Sequence, residues 1–358
     1  MTMVGETMLY YMLYGMCWLM SVWPYKFLYF ISDYILFPLL YTCIGYRRKI
    51  VHKNLFHAFP EMTDEERLVI EKQFYHFFCD YFFETIKLVS VSKKEMKRRM
   101  EMTGLDALNH AFEKKDMVIV YLGHYCNWEY VASLQWWMDD VQCAQLYSTL
   151  RQHAFDRLFL KIRSRFGGIC IEKNRSLRQI MELKHKHQKT VIGFIADQGP
   201  RWPNIHLFLP FLHQDTAVFT GAERIAHKVD AAVFVANMSR PKRGYYHCEF
   251  VPISDKDVEY MEEFELTRLY MDHLEQQIKK CPYLWLWSHN RWRRQRTDSN
   301  APEEWRATVK NGRPISDTPI KTHQYSVAVR PLLMKKIPED KKTTDNFWRM
   351  EKLMYLCT

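Results

Sequence analysis

Between about residues 117 and 252 the chain alternates short apolar runs with segments whose apolar residues recur at helical spacing. MVIVYL (117–122), VQCAQLY (141–147), TVIGFIAD (190–197), AAVFVANM (231–238) and YHCEFVPI (246–253) carry the β-branched and aromatic residues of strands. AFDRLFLKIRSRF (154–166), SLRQIMELKHKH (176–187) and AVFTGAERIAHKV (217–229) place apolar residues three to four apart and predict helices between them. Such alternation predicts an α/β fold with a mostly parallel, mixed sheet flanked by helices. Upstream, residues 59–90 predict a long helix, opened by Thr63 and Glu66 as a capping box. Residues 258–280 predict a last amphipathic helix.

The two ends break this rhythm. Thr7 to Tyr25 contains no charged residue and is about long enough to cross a ~30 Å hydrocarbon core. A second apolar stretch follows Lys26, interrupted by Asp33 and Pro38, and then come Arg47, Arg48, Lys49 and Lys53. Residues 1–46 are therefore expected to anchor the protein in a membrane as a tilted span or re-entrant helix followed by interfacial helix. A buried helix pair is the alternative. The basic cluster would hold the rest of the chain on the cytoplasmic side. No basic n-region or small-residue cleavage site marks a removed signal peptide. Residues 47–297 then form the α/β domain, and the polar, proline-punctuated residues 298–358 read as a poorly ordered tail.

Composition narrows the function. The chain has 47% hydrophobic and 15% aromatic residues, which suits a globular protein with greasy patches rather than a polytopic membrane protein. Its formal net charge of +10 implies acidic partners: nucleic acid, an anionic membrane surface or an acidic protein. Nine scattered cysteines without C-x-x-C spacing give no zinc site and no disulfide framework. His185 and His187 have no partner cluster, and no phosphate-cradling glycine motif occurs, so neither metal nor organic cofactor is expected.

Candidate chemistry lies in YLGHYCNWEY (121–130), where His124 and Glu129 follow an apolar strand. Five residues on one regular helix would leave the two side chains about 140° apart. They could meet if His124 occupies the turn after the strand and Glu129 the first helical turn, with Asn127 as N-cap and Gly123 ending the strand tightly. A carboxylate on one imidazole nitrogen fixes the tautomer and raises the basicity of the other, making a general base for a hydroxyl. The bland alternative is a half-buried histidine near a solvated glutamate. Cys126 lies between the two and offers the rival of a thiol acyl-enzyme.

GHYCNWE (123–129) resembles the H-x-x-x-x-[DE] motif of the lipid A late acyltransferases (the HtrB/LpxL/LpxM group), part of the broader lysophospholipid acyltransferase-like proteins. Three further segments match in order: FDRLFLKIRSRFGG (155–168) at Arg163, Arg165 and Gly167; ADQGP (196–200) followed by LPFL; and YLWLWSHNRWRRQR (283–296), similar to a closing W-x-H-x-R-[WF]-K signature. The resemblance runs from the N-terminus to about residue 296. Where many members have Tyr-Arg-Pro this chain has Tyr147-Ser148-Thr149, so that arginine's role would pass to Arg151.

The resemblance implies transfer of a fatty acyl group from an acyl carrier protein thioester to a hydroxyl of a lipid A precursor, at the cytoplasmic face of the inner membrane. His124 would then be the base and Glu129 its orienting carboxylate. Asn127, Arg151, Arg163, Arg165, Asp197 and Gln198 would serve substrate binding or the oxyanion. For Asp197 a turn cap, and for Arg163 and Arg165 a solvated helix face, remain open alternatives. The basic, tryptophan-rich 287–296 stretch suits lipid phosphates or an acidic carrier better than nucleic acid, given the apolar N-terminus. Two other functions stay open: acylation of another membrane lipid by the same chemistry, and a non-catalytic, membrane-anchored basic binding protein.

Overall fold

The computed structural model describes residues 3–310 and the short strand at 313–314. Its strands are β1 Met100–Thr103, β2 Met117–Leu122, β3 Gln142–Tyr147, β4 Ile169–Glu172, β5 Thr190–Ile195, β6 Phe208–Phe211, β7 Gln214–Ala217, β8 Ala232–Lys242 and β9 Tyr245–Pro252, besides a two-residue antiparallel pair, Val309–Lys310 with Arg313–Pro314. Seven of them form one sheet in the order β1-β9-β8-β2-β5-β3-β4. Every neighbouring pair is parallel except β8 and β9, so β9 and β1 run against the other five. β6 and β7 make a separate hairpin. The five strands expected from the apolar runs are all present, within a few residues of their expected ends. β1, β4, β6 and β7 are additions.

Helices are α1 Met3–Ser21, α2 Tyr25–Ile31, α3 Arg48–Ala58, α4 Asp64–Lys87, α5 Lys93–Arg99, α6 Leu105–Ala111, α7 Trp128–Val131, α8 His153–Ser164, α9 Ser176–His185, α10 Gly221–Val229, α11 Glu265–Lys280 and α12 Glu303–Arg306. All six residues of β2 are buried, as a central strand covered on both faces requires, which explains its unbroken apolar run. α10 buries Ala222, Ile225, Ala226 and Val229, the i, i+3, i+4, i+7 stripe of a helix lying on a sheet. α4 begins at the predicted capping box: Thr63 accepts from the Glu66 backbone N–H, and Glu66 accepts from that of Thr63 at 2.8 Å.

The N-terminal block is docked on the domain. Tyr10 and Leu13 of α1 belong to the main core, and the Arg157 guanidinium from α8 lies 4.1 Å from the Tyr10 ring. Lys87, the last residue of α4, donates to the carbonyls of Ser21 and Trp23 and so caps the end of α1, where a cation is favoured. After α2 the chain continues through two π-helical turns, Ser32–Leu36 and Pro38–Cys43, the second starting at the proline that cannot donate to the preceding turn. Ser32 donates to Asp80, and Arg243 from the β8–β9 hairpin bridges Asp80 and Asp33. No single described helix is long and apolar enough to cross a membrane. The stretches 25–43 and 48–58 pass a length-and-composition test for a span only as a pair, bent by 82°. The outer face of the block is nonetheless strongly apolar, with Met8, Tyr11, Met12, Leu19 and Tyr34 all more than half exposed.

At the other end, packing extends past residue 298. Trp305 is buried against Ile205, Phe208 and Ala217, and Arg296 pairs with Asp215 of the β6–β7 hairpin. The remainder of the expected tail, beyond 314, lies outside the described residues.

Candidate active site

The register of two strands assembles the site. β2 pairs with β5 as Met117 with Thr190 through Leu122 with Ile195. Each strand is followed by one further residue and then a polar one, His124 and Asp197, so the two arrive side by side at the carboxyl edge of the sheet. This is where α/β folds usually place their sites. His124 Nδ1 lies 2.6 Å from Asp197 Oδ1. The His124 backbone N–H and the Trp285 indole N–H both donate to Oδ2, at 2.9 and 2.8 Å. Asp197 is therefore an acceptor on both oxygens, and the ring proton sits on Nδ1. The other nitrogen, Nε2, faces the Gln198 amide nitrogen at 3.2 Å and accepts from it.

Electrostatics favour the carboxylate. Burial alone would raise the Asp197 carboxyl, but the adjacent His124 and the hydrogen bonds from His124 and Trp285 outweigh it and hold it at about 2. His289, nearby, is pushed down to about 3 by burial, with the charges of Arg291 and His124 adding to the effect, so it stays neutral.

The loop from 123 to 127 is locked from outside. A Cβ on Gly123 would come within 2.6 Å of the Leu274 Cδ1 of α11, so any larger residue there would have to push that buried side chain aside. Cys126 adopts a left-handed φ of 59°, its N–H donating to the Leu284 carbonyl at 2.8 Å, while Leu286 N–H donates to the His124 carbonyl at 3.0 Å. The 284–286 segment thus grips the loop on both sides. A left-handed cysteine is a strained conformation of the kind found at functional turns. The Cys126 thiol itself is fully enclosed, and burial pushes it well above the ordinary thiol range, which makes it a poor nucleophile.

Glu129 does not reach His124. α7 begins at Trp128, and its first turn aims the carboxylate at α8, where Arg163 grips it with two hydrogen bonds, Nε to Oε2 at 3.0 Å and Nη2 to Oε1. The expected His124–Glu129 contact is replaced by His124–Asp197 and Glu129–Arg163. Asn127 does precede α7, but its side chain makes no cap; it donates 2.7 Å to Glu84, a buried carboxylate that also accepts from Tyr29 and Tyr246. Arg165 donates to the carbonyls of Leu88 and Val91, at and just beyond the end of α4, and Arg151 is exposed before α8. Gln198 is at the ring, as noted. Trp285, Gly199 and Arg291 adjoin the pair and were not singled out from sequence; only their place in the two motif segments pointed to them. Among the described residues no group of His, Cys, Asp or Glu could hold a metal ion.

A histidine held by a buried carboxylate at the carboxyl edge of a mostly parallel sheet has the geometry that taking a proton from a hydroxyl requires. The chain belongs to the bacterial lipid A biosynthesis acyltransferase family, whose description matches residues 3–294. It is also 22% identical over 247 residues to a lipid A biosynthesis acyltransferase of Haemophilus influenzae, covering 67% of this chain and 74% of that one. The protein is accordingly an acyltransferase acting in lipid A synthesis, with a lipid acceptor.

Proposed function

We propose that the protein moves a fatty acyl chain from an acyl carrier protein thioester to a hydroxyl of a lipid A precursor at the cytoplasmic face of the inner membrane. His124 is the general base and Asp197 the residue that orients it. The observation that carries this reading is the triple acceptance at Asp197, which presents Nε2 with its lone pair outward. The acceptor hydroxyl takes the place of the Gln198 amide at Nε2 and gives its proton to the ring. Its oxygen attacks the thioester carbonyl, the C–S bond breaks, and the leaving thiolate takes the proton back from Nε2. No covalent enzyme intermediate is needed. The displaced Gln198 amide becomes a donor for the oxyanion, a role that Arg163 and Arg165 cannot share while bound to Glu129 and to the backbone after α4.

Two surface features support the partners. The apolar outer face of the N-terminal block fits the lipid interface, lying on the membrane rather than crossing it. Arg201 and Arg293 are exposed, and Arg294 is anchored to the Pro200 carbonyl, so cations flank the Asp197–Gln198 turn where an acidic carrier would deliver its thioester.

The test is acyl transfer from a purified acyl carrier protein thioester to lipid acceptors, with mass spectrometry of the products. His124→Ala should lower transfer by about 10²–10⁴-fold. The KM for the carrier should rise as salt shortens the Debye length from about 10 Å toward 3 Å. A folded His124→Ala enzyme with near-normal transfer sinks the mechanism.

A further inference from the structure

Arg291 is 3% exposed, and none of its three guanidinium nitrogens has a hydrogen-bond partner. Buried charges are normally paired, because an unmet charged donor costs several kcal/mol. The other buried arginines obey the rule: Arg67 has Asp64, Arg99 has Glu95, and Arg296 has Asp215. Arg291 departs from it at the centre of the molecule. Its Nη1 would lie 3.5 Å, and its carbonyl 3.1 Å, from a Cβ placed on Gly199, so the residue packs against the turn that carries Asp197. Burial draws it down to about 10 against the pull of the Asp197 carboxylate, leaving it a cation at neutral pH.

We propose that Arg291 is a positioning residue for the His124–Asp197 pair: its buried charge, free of any hydrogen bond, balances the Asp197 carboxylate and so keeps the His124 ring unprotonated between turnovers. This rests on the general-base reading above. With Arg291 present, the resting site sums to zero, and protonating the ring leaves one net positive charge in a water-poor interior. Without it, the resting site carries a net negative charge, and a proton on the ring is held rather than returned to the leaving thiolate. The groups that face the ring are few. Asp197 and Gln198 come from the β5 turn, and His289 and Arg291 from the closing segment, with Arg47 reaching Ser288 behind it. Tyr270 of α11 is bonded to the Leu122 carbonyl, and the enclosed Cys126 thiol lies on the ring's own loop. Glu129 is already neutralised by Arg163. None of the others supplies a buried positive charge beside the carboxylate.

The experiment is the pH dependence of kcat/KM for the full-length enzyme with Arg291→Met and Arg291→Lys. Arg291→Met removes a charge without hydrogen bonds but also the counter-charge of buried Asp197, so its melt is recorded beside the rates and should stay above the assay temperature. Its acid limb should move up by about one pH unit or more, with activity returning to within threefold of wild type at high pH. Arg291→Lys should keep the wild-type limb. An Arg291→Met enzyme that loses activity equally at all pH values, that shows a raised acceptor KM on an unmoved limb, or that fails to fold would overturn the proposal. An active His124→Ala would instead overturn the mechanism beneath it, so the two failures are distinguishable.

Discussion

Replacing Asp197 by asparagine tests the site with two atoms' difference. The carboxylate accepts on both oxygens, from the ring on one side and from the His124 N–H and the Trp285 indole on the other. An amide has one acceptor and one donor end. With its NH2 toward Oδ2's position, asparagine would face two N–H donors and lose both bonds, each worth about 1–3 kcal/mol when left unmet. The favoured orientation turns the NH2 toward His124 Nδ1, which must then become the acceptor. The ring proton moves to Nε2, and the atom that should take the substrate's proton no longer can. The lost charge sets a floor on the effect. The fall of the Asp197 carboxyl from 3.8 to about 2 is worth about 2 kcal/mol in favour of the anion, or about 30-fold in rate if it stabilises the imidazolium equally. With the tautomer reversed as well, kcat should drop by about 10²–10⁴-fold, with the acceptor KM little changed. Initial-rate measurements with the carrier thioester across pH, beside a thermal melt, decide it. A folded Asp197→Asn enzyme within fivefold of wild type at every pH refutes the assignment of Asp197 as the orienting group.

Glu129→Gln should act on stability: Arg163, one-fifth exposed, loses its charged partner at a cost of about 1–3 kcal/mol, so the melting temperature and activity should fall together. If melting is unchanged while transfer vanishes, Glu129 touches the chemistry directly. Cys126→Ala should stay active with no acyl group trappable on the protein by mass spectrometry. Aspartates at Met12 and Leu19, on the exposed face of α1, should weaken vesicle flotation severalfold without changing the melt; equal flotation would remove the membrane role of that face. The depressed Asp197 carboxyl contributes stability that is complete above about pH 4 and is lost as pH falls through about 2. Wild type should therefore lose about 2 kcal/mol more than Asp197→Asn over that window in urea titrations.

The strands that could be read from the chain were those long enough to carry a continuous β-branched run, β2, β5 and β8 above all. β1 and β4 have four residues each, too few for a period to show, and β6 and β7 flank Leu212 and His213, a turn with left-handed backbone that carries none of the usual glycine signal. At the site, both His124 and Asp197 were legible as polar residues just past an apolar run. Their pairing was not, because it depends on which strands become neighbours and in what register, and nothing local encodes that. Nearness in sequence pointed to Glu129, five residues away, whereas the partner lies 73 residues on, at the same offset as every β2–β5 pair. Hydropathy likewise found the uncharged Thr7–Tyr25 stretch but could not show that one side of it packs against α4 and α8.

The N-terminal block is joined to the rest by Lys87 at the end of α1, Ser32 and Arg243 on Asp80, and Tyr29 on Glu84, whose other oxygen holds Asn127 in the loop of His124. Such a mounting is a bracket and not a tether. On the membrane seat and mechanism proposed above, His124 Nε2 would stand at a set height above the headgroups. Choice among the hydroxyls of a lipid acceptor would then become a matter of elevation, the one acylated being the one whose oxygen rises to that level.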